Sequence, residues 1–224
     1  MPENESSAAS PLNAKLSASS LDFLLIELVP LAQRISEQVQ ARDKALREEY
    51  DRSRVFNRQR QRASSNATTD GKNKSEVTSL GFPVLTPPLA NAMTKRLEEV
   101  GYRVGQGLAE GLSAFKPRPT SPLDVIKFIC KDLWTAIFQK PIDNLKTNHR
   151  GVFVLADNSF RPIAKMSMDL KEGVRGREEG LSRAQLYLVF PSGIIRGALS
   201  GLGIEATVEG NTTDIPVATF QIKT

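Results

Sequence analysis

Residues 121–160 read SPLDVIKFICKDLWTAIFQKPIDNLKTNHRGVFVLADNSF. Apolar side chains fall at Leu123, Ile126, Ile129, Cys130, Leu133, Trp134, Ile137 and Phe138. That spacing is helical, and its arc is wide enough to be buried on most sides. Pro122 suits the first turn of this helix, and Asp124 places a carboxylate near its positive end. After Asn144 and Asn148 the pattern changes. Gly151 opens GVFVLAD, a strand by composition, and Asp157-Asn158 turns it toward RPIAKMSM. The spacing therefore predicts a long buried helix that delivers the chain straight into a hairpin.

Upstream, KPRPTSP is a stiff connection, and before it LTPPLANAMTKRLEEVGYRVGQGLAEGLSAF reads as another helix. Thr86 can cap it, two prolines fit its first turn, and Leu89, Met93, Leu97, Val100, Val104, Leu108 and Leu112 form a stripe. Gly101, Gly105, Gly107 and Gly111 each cost about 0.5–1 kcal/mol relative to alanine inside a helix. Close approach of another backbone or a bulky side chain would offset that cost. Nearer the N-terminus, LDFLLIELVPLAQRISEQV (21–39) carries Leu21, Leu24, Leu25, Leu28, Leu31, Ala32, Ile35 and Val39 on one broad face. Phe23 and Ile26 form a second face, and Pro30 is expected to kink or split the helix. So much apolar surface fits either a central core helix or one that packs inward on one side and meets a partner on the other.

Residues 1–18 are small, polar and unpatterned, and read as a disordered tail. Residues 41–80 read as a polar, basic insertion, disordered for most of its length, with a possible exposed helical start supported by Lys44 and Glu48. The ordered remainder reads as one domain within 19–224. Downstream of the quoted stretch, MDLKEGVRGREEGLSR reads as a glycine-rich surface loop. A helix from about Ala184 to Leu202 then contains Pro191 and stops at Gly203. IEATVEG and VATFQIK form a second hairpin around NTTD, with Ala206 and Val208 alternating like Ala218, Phe220 and Ile222. The order is helix, helix, helix, strand, strand, helix, strand, strand. It predicts an α+β fold, with helices on one face of a four-stranded antiparallel sheet.

Composition narrows the function. The chain has 224 residues and a formal charge of +5, but residues 41–80 hold ten Lys/Arg against six Asp/Glu, a net +4. The basicity belongs to the insertion, which weakens any reading of the folded body as a nucleic-acid surface. Cys130 is the only cysteine, so an intramolecular disulfide framework is excluded and a reducing compartment is favoured. MPENESSAASPLNAK lacks the charged-then-apolar pattern of a signal peptide, and no run is long enough to span a bilayer.

The motifs carry no chemistry. GIIRGALSGLG lies within or at the end of a helix, whereas a dinucleotide loop follows a strand and opens one. Cys130 and His149, the only histidine, lack an orienting third group and supply too few ligands for zinc. Asp124, Asp132, Asp143 and Asp157 show no spacing that supports paired acid–base work. No catalytic residue, metal ligand or cofactor is expected.

Three segments in order carry a family resemblance: LEEVGYRVGQGLAEGL (97–112), KFICKDLWTAIFQKPIDNLKTNHRGVFVLADNSFR (127–161) and YLVFPSGIIRGALSGLGIEATV (187–208). With the apolar first helix they resemble the small subunits of the transport protein particle, TRAPP, and in particular its subunit-six branch, the 33-kilodalton subunit of yeast. The resemblance covers about 20–40 and 80–224, and the insertion at 41–80 departs from it. It implies an α/β plait and a non-catalytic subunit of a tethering complex that exchanges guanine nucleotide on a Rab GTPase of the Ypt/Rab1 type. It further implies a heterodimer with the central acylated small subunit, contact with larger subunits, and a cytoplasmic protein held peripherally at ER-to-Golgi and Golgi membranes through the complex. The interface residues it implies are Phe23, Leu24, Leu28 and Leu31 from the first helix and Leu97, Val100, Val104 and Leu108 from the second. Cys130 lies mid-helix and does not match the acylated cysteine of that partner. Two other classes stay open: a small-molecule or lipid-binding module of the related vinyl-reductase-like fold, and a nucleic-acid arm formed by the insertion.

Overall fold

The computed structural model of the chain describes residues 18–59, 87–114, 121–148, 150–167 and 173–224, with 116, 117, 119 and 171. The expected Thr86 cap, His149, and the tail and insertion residues 1–17 and 60–86 lie outside them. Helix α1 spans Ala18–Gln59 and α2 Pro87–Ser113. Helix α3 is continuous through Pro122–Phe128, a π-helical turn at Ile129–Leu133, and Trp134–Phe138. Strands β1 (Asn144–Thr147) and β2 (Val152–Asp157) follow, then α4 (Val174–Gly201), β3 (Thr207–Asn211) and β4 (Ala218–Lys223).

The sheet is antiparallel throughout, in the order β1-β2-β4-β3. Its register pairs Phe153 with Ile222, Leu155 with Phe220 and Asp157 with Ala218, so all six share one face. All six are buried, while their neighbours along each strand are more exposed, as expected for a sheet covered on one side. Trp134 of α3 sits at the centre of that cover, with ring centroids 4.5 Å from Phe138, 5.9 Å from Phe160 and 5.2 Å from Phe220. Leu188, Ile194, Ile195, Ala198 and Leu199 of α4 complete the same core. A smaller core joins Val29 and Ala32 of α1 to Met93 and Leu97 of α2. The α+β fold and the order of elements are those expected from the sequence.

Local chemistry explains the start and end of α3. The Ser121 hydroxyl donates to Asp124 Oδ2 at 2.7 Å, and the Asp124 N–H donates back to Ser121 Oγ at 3.2 Å. This is a reciprocal cap, one residue before Pro122 at the first helical position. The Ser121 hydroxyl, ahead of Lys127, holds the Asp124 carboxyl below the usual carboxylate range. Gln139 closes the helix at φ 60°, and the Ile142 N–H reaches back to the Cys130 carbonyl within the π turn. The π turn itself leaves no mark in the apolar pattern.

Two expectations need correction. The first hairpin does not join GVFVLAD to RPIAKMSM: β2 pairs with NLKT before it, around a turn in which Asn148 Oδ1 accepts from the Arg150 and Val152 N–H groups and Gly151 takes φ 81°. Phe160 and Ile163 are instead fully buried, which pulls the chain after β2 under the sheet. Helix α4 starts at Val174, ten residues before the sequence-based start and inside the supposed surface loop. Its inward stripe there is Gly176, Gly180 and Ala184, so the helical period is carried by residues with almost no hydropathy. Finally, α1 runs through Pro30 without splitting, and the helical start expected for the insertion extends to Gln59.

The α2/α4 crossing uses glycine from both helices. A Cβ added at Gly101 would lie 2.3 Å from the Phe190 carbonyl oxygen, and one at Gly105 2.1 Å from that of Ile194. Added at Gly193 or Gly197, it would lie 2.5 Å from the Glu98 oxygen or 1.9 Å from the Tyr102 oxygen. The buried stripe of α2 is therefore Leu89, Met93, Leu97, Gly101, Gly105 and Ala109, and the valines at 100 and 104 lie beside it. Gly107 and Gly111 have nothing within 4 Å of an added Cβ, so close approach explains only two of the four α2 glycines. Gly107→Ala is accordingly expected to stabilise the fold by about 0.5–1 kcal/mol, through helix propensity alone. A urea midpoint that does not rise would contradict this.

Candidate interaction surface

Between α1 and α2 the surface opens into an apolar groove of about 220 Å³. Leu28, Leu31, Ala32 and Ile35 line one wall, with Leu97 and Val100 on the other and Arg96, Glu99 and Arg103 at its rim. The geometry follows from the packing below. Leu25, Val29, Ala32 and Ser36 face inward on α1, so the residues one step round the helix are left outside. Leu24, Leu31 and Ile35 are exposed on the groove side of α1, whereas Phe23, 72% exposed, and Ile26 lie on its second face, Ile26 beside Arg161 and Tyr187. Val100 and Val104 of α2 are 45% and 38% exposed. Large apolar side chains gathered on one face of a monomer mark a contact surface more often than chance does.

The eight residues that the resemblance implies divide accordingly. Phe23, Leu24, Leu31, Val100 and Val104 are exposed. Leu28 and Leu108 are half-buried; Leu28 packs against both cores and Leu108 against the larger one. Leu97 lies deeper than the other seven. At 1% exposure it belongs to the small core with Val29, Ala32 and Met93, and only its margin reaches the groove floor. Ile35 completes the wall, and a position four residues after Leu31 was the available signal for it. Arg96 and Arg103 carried no signal, since charged rim residues look like any solvated helix face.

Polar contacts fix α1 in place. Asp22 pairs with Arg161 of the chain after β2 at 2.8 Å, and the Tyr187 hydroxyl of α4 donates to the Ile26 carbonyl at 3.4 Å. Burial pushes the Tyr187 phenol up from its ordinary value. Arg34 and Glu27 form an exposed ion pair along α1.

The remaining candidates for chemistry have structural surroundings. Asp124 caps α3, and Asp132 pairs with Lys116. Lys140 bridges Asp143 at 3.0 Å and the buried Asp157 at 2.6 Å. The Asn158 N–H, then Lys140, holds the Asp143 carboxyl down. Asp157 also accepts from Trp134 Nε1 at 2.9 Å and from the Ser159 N–H at 3.0 Å. Cys130 is buried, which pushes its thiol up to about 12. The thiolate is the reactive form, so the folded protein at pH 8 should leave a disulfide reagent such as Ellman's unreacted and consume one equivalent once denatured. Prompt reaction in the folded state would contradict this. Among the described residues, no group of three or more His, Cys, Asp or Glu is placed to hold a metal, and no helix is long and apolar enough to cross a membrane.

The fold and this surface define a class: a small α+β subunit that presents an apolar groove on its first two helices. Residues 21–224 match the model of the TRAPP (transport protein particle) component family, and the chain belongs to that family. It is 45% identical over 127 residues to human trafficking protein particle complex subunit 6B, covering 57% of this chain and 75% of the relative. Human subunit 6A is 45% identical over 130 residues, 56% of this chain and 74% of the relative. An uncharacterized protein of Schizosaccharomyces pombe is 32% identical over 215 residues, 95% of this chain and 65% of the relative. These relatives identify the subunit-six branch, the branch of the yeast 33-kilodalton subunit, and with it membership of a vesicle-trafficking complex. A crystal structure of a trafficking protein particle complex subunit 3 from Naegleria fowleri, covalently bound to palmitic acid, aligns at TM-score 0.46 and 14% identity over 60% of this chain and 81% of that one.

Proposed function

We propose that the chain is a non-catalytic assembly subunit of the TRAPP tethering and Rab guanine-nucleotide-exchange complex. It pairs through α1 and α2 with the central acylated small subunit and helps to seat larger subunits. Its contact with a Rab GTPase and its peripheral place at ER-to-Golgi and Golgi membranes follow through the complex. The observation that carries this reading is the groove, with Leu31 and Val100 exposed in its walls and Leu24 and Val104 exposed one helical turn beyond them, on a chain of this family. Those side chains are left in water by the monomer, and their burial against a partner recovers about 25 cal/mol per Å² of apolar surface.

The test is co-expression with the central small subunit. Leu31→Asp is the informative variant, because Leu31 lies outside both cores, whereas Leu28 packs into them and its loss would confuse folding with binding. A charge at the centre of an apolar contact is expected to weaken pairing at least thirtyfold, about 2 kcal/mol or more, with the thermal melt of the lone chain unchanged. Undiminished pairing by Leu31→Asp would remove this groove from the interface.

A further inference from the structure

Among the described side chains of α1, the last buried against the body is Ser36. Residues 37–52 are exposed at every position, so α1 projects for about 24 Å at 1.5 Å per residue. A free helix of this kind is normally marginal in water. The pairs Lys44–Glu48 and Glu48–Arg52, at 4.0 and 3.7 Å, are exposed and contribute little.

The arm is not polar all round, however. Leu28, Leu31, Ile35, Val39, Leu46 and Tyr50 follow at helical steps, and at about 100° per residue they keep within an arc of about 100°. The apolar wall of the groove thus continues up the arm on the same helix face. Charge accompanies it. Arg42 and Glu49 lie in the same arc, and Arg96 and Arg103 stand two turns apart on the α2 rim of the groove, with Glu99 between them paired to Lys95. None of these three guanidiniums has an ion-pair partner among the described residues.

We propose that one partner helix, apolar along one face and carrying carboxylates beside it, lies in the α1/α2 groove and continues up the free arm of α1. This rests on the pairing reading above and adds the partner's chemistry and reach. Continuity of the apolar arc sets the length of the contact. The unpaired guanidiniums set the sign of the partner's rim, since Arg favours planar carboxylates held two-pronged.

The test uses the full chain and the central small subunit, titrated calorimetrically at about 0.05 and about 0.5 M salt, between which screening removes exposed ion pairs but not apolar contact. Val39→Ala/Leu46→Ala keeps a helix-forming residue at both positions and removes exposed apolar surface of the arm. It is expected to weaken binding tenfold or more at either salt. Arg96→Glu/Arg103→Glu is expected to weaken it tenfold or more at low salt and less than threefold at high salt. Circular dichroism of both variants should match the wild type. Low-salt binding within twofold of wild type by either variant overturns the proposal and leaves the pairing reading standing. A wild-type homodimer that both variants break would give the groove to a second copy of this chain, and would also overturn it. Failure of the wild-type chain to bind that subunit would remove the pairing reading itself, and this inference with it.

Discussion

Gly197→Ala is expected to cost more stability than any other single methyl added to this chain, about 3 kcal/mol or more, and Gly197→Leu to leave no cooperative unfolding transition. The added Cβ would sit 1.9 Å from the Tyr102 carbonyl oxygen, 2.7 Å from its carbon and 2.8 Å from its Cα. All three are backbone atoms, so no rotamer change relieves the overlap. The helices must separate, and Gly101, Gly105 and Gly193 make that a movement of the whole crossing. Separation would also loosen the polar rim, where the Tyr102 hydroxyl donates to Ser200 at 2.8 Å and Arg196 pairs with Glu98. Overpacking in a well-filled core typically costs about 1–3 kcal/mol, and here the obstruction is backbone on both sides. Against a total stability of about 5–15 kcal/mol, the alanine variant should be marginal. The control is Gly201→Ala, one turn later, where the nearest atom would be the Ala109 Cβ at an ordinary 3.7 Å. Denaturant titration should show the two variants several kcal/mol apart. Equal midpoints would mean that the crossing is not held by glycine.

The second large effect concerns Asp157, the carboxylate buried at the end of β2. Asp157→Ala is expected to destabilise by about 3 kcal/mol, because it leaves the indole N–H of Trp134 unpaired in the core and strips Lys140 of its shorter ion pair. Lys140 is itself held above its ordinary value: desolvation opposes its charge, but hydrogen bonds and charge from Asp157 and Asp143 outweigh it. Asp157→Asn keeps one acceptor oxygen, for Trp134 or for Ser159, and loses the charge and the other acceptor, so about half the penalty is expected. The single tryptophan makes the measurement direct, since its emission reports the same contact that is broken. A melting temperature for Asp157→Ala equal to that of the wild type would show that the pair contributes nothing net.

These two sites differ in how well the residues announced them. Trp134 and Phe138 announced a buried helix through their period, and the alternation of Ala218, Phe220 and Ile222 announced β4 with the face it buries. Such signals are local and strong, because a side chain that repeats every 3.6 or every 2 residues has only one face to bury. Asp157 looked like a turn residue, and nothing in its neighbourhood places an indole 23 positions earlier against it. Gly176 and Gly180 were invisible for the opposite reason: they carry the helical period of α4 with no side chain to display it. NLKT was too short and too polar to claim β1 until β2 gave it a partner.

The interaction surface follows the same division. By itself the sequence determined the order of the elements, the α+β class, the buried spine of α3 and the excess of apolar surface on α1, because each is a periodicity written into consecutive residues. It also carried the family, through three long segments in order. Only the tertiary structure decided which apolar arc is covered. Leu97 is sealed by Val29, Ala32 and Met93, while Val100, three residues on, stays in water because Gly101 takes the position against α4. A helical wheel ranks faces by composition. Which face is left open depends on what packs against the others, and that is fixed by contacts between residues about a hundred positions apart.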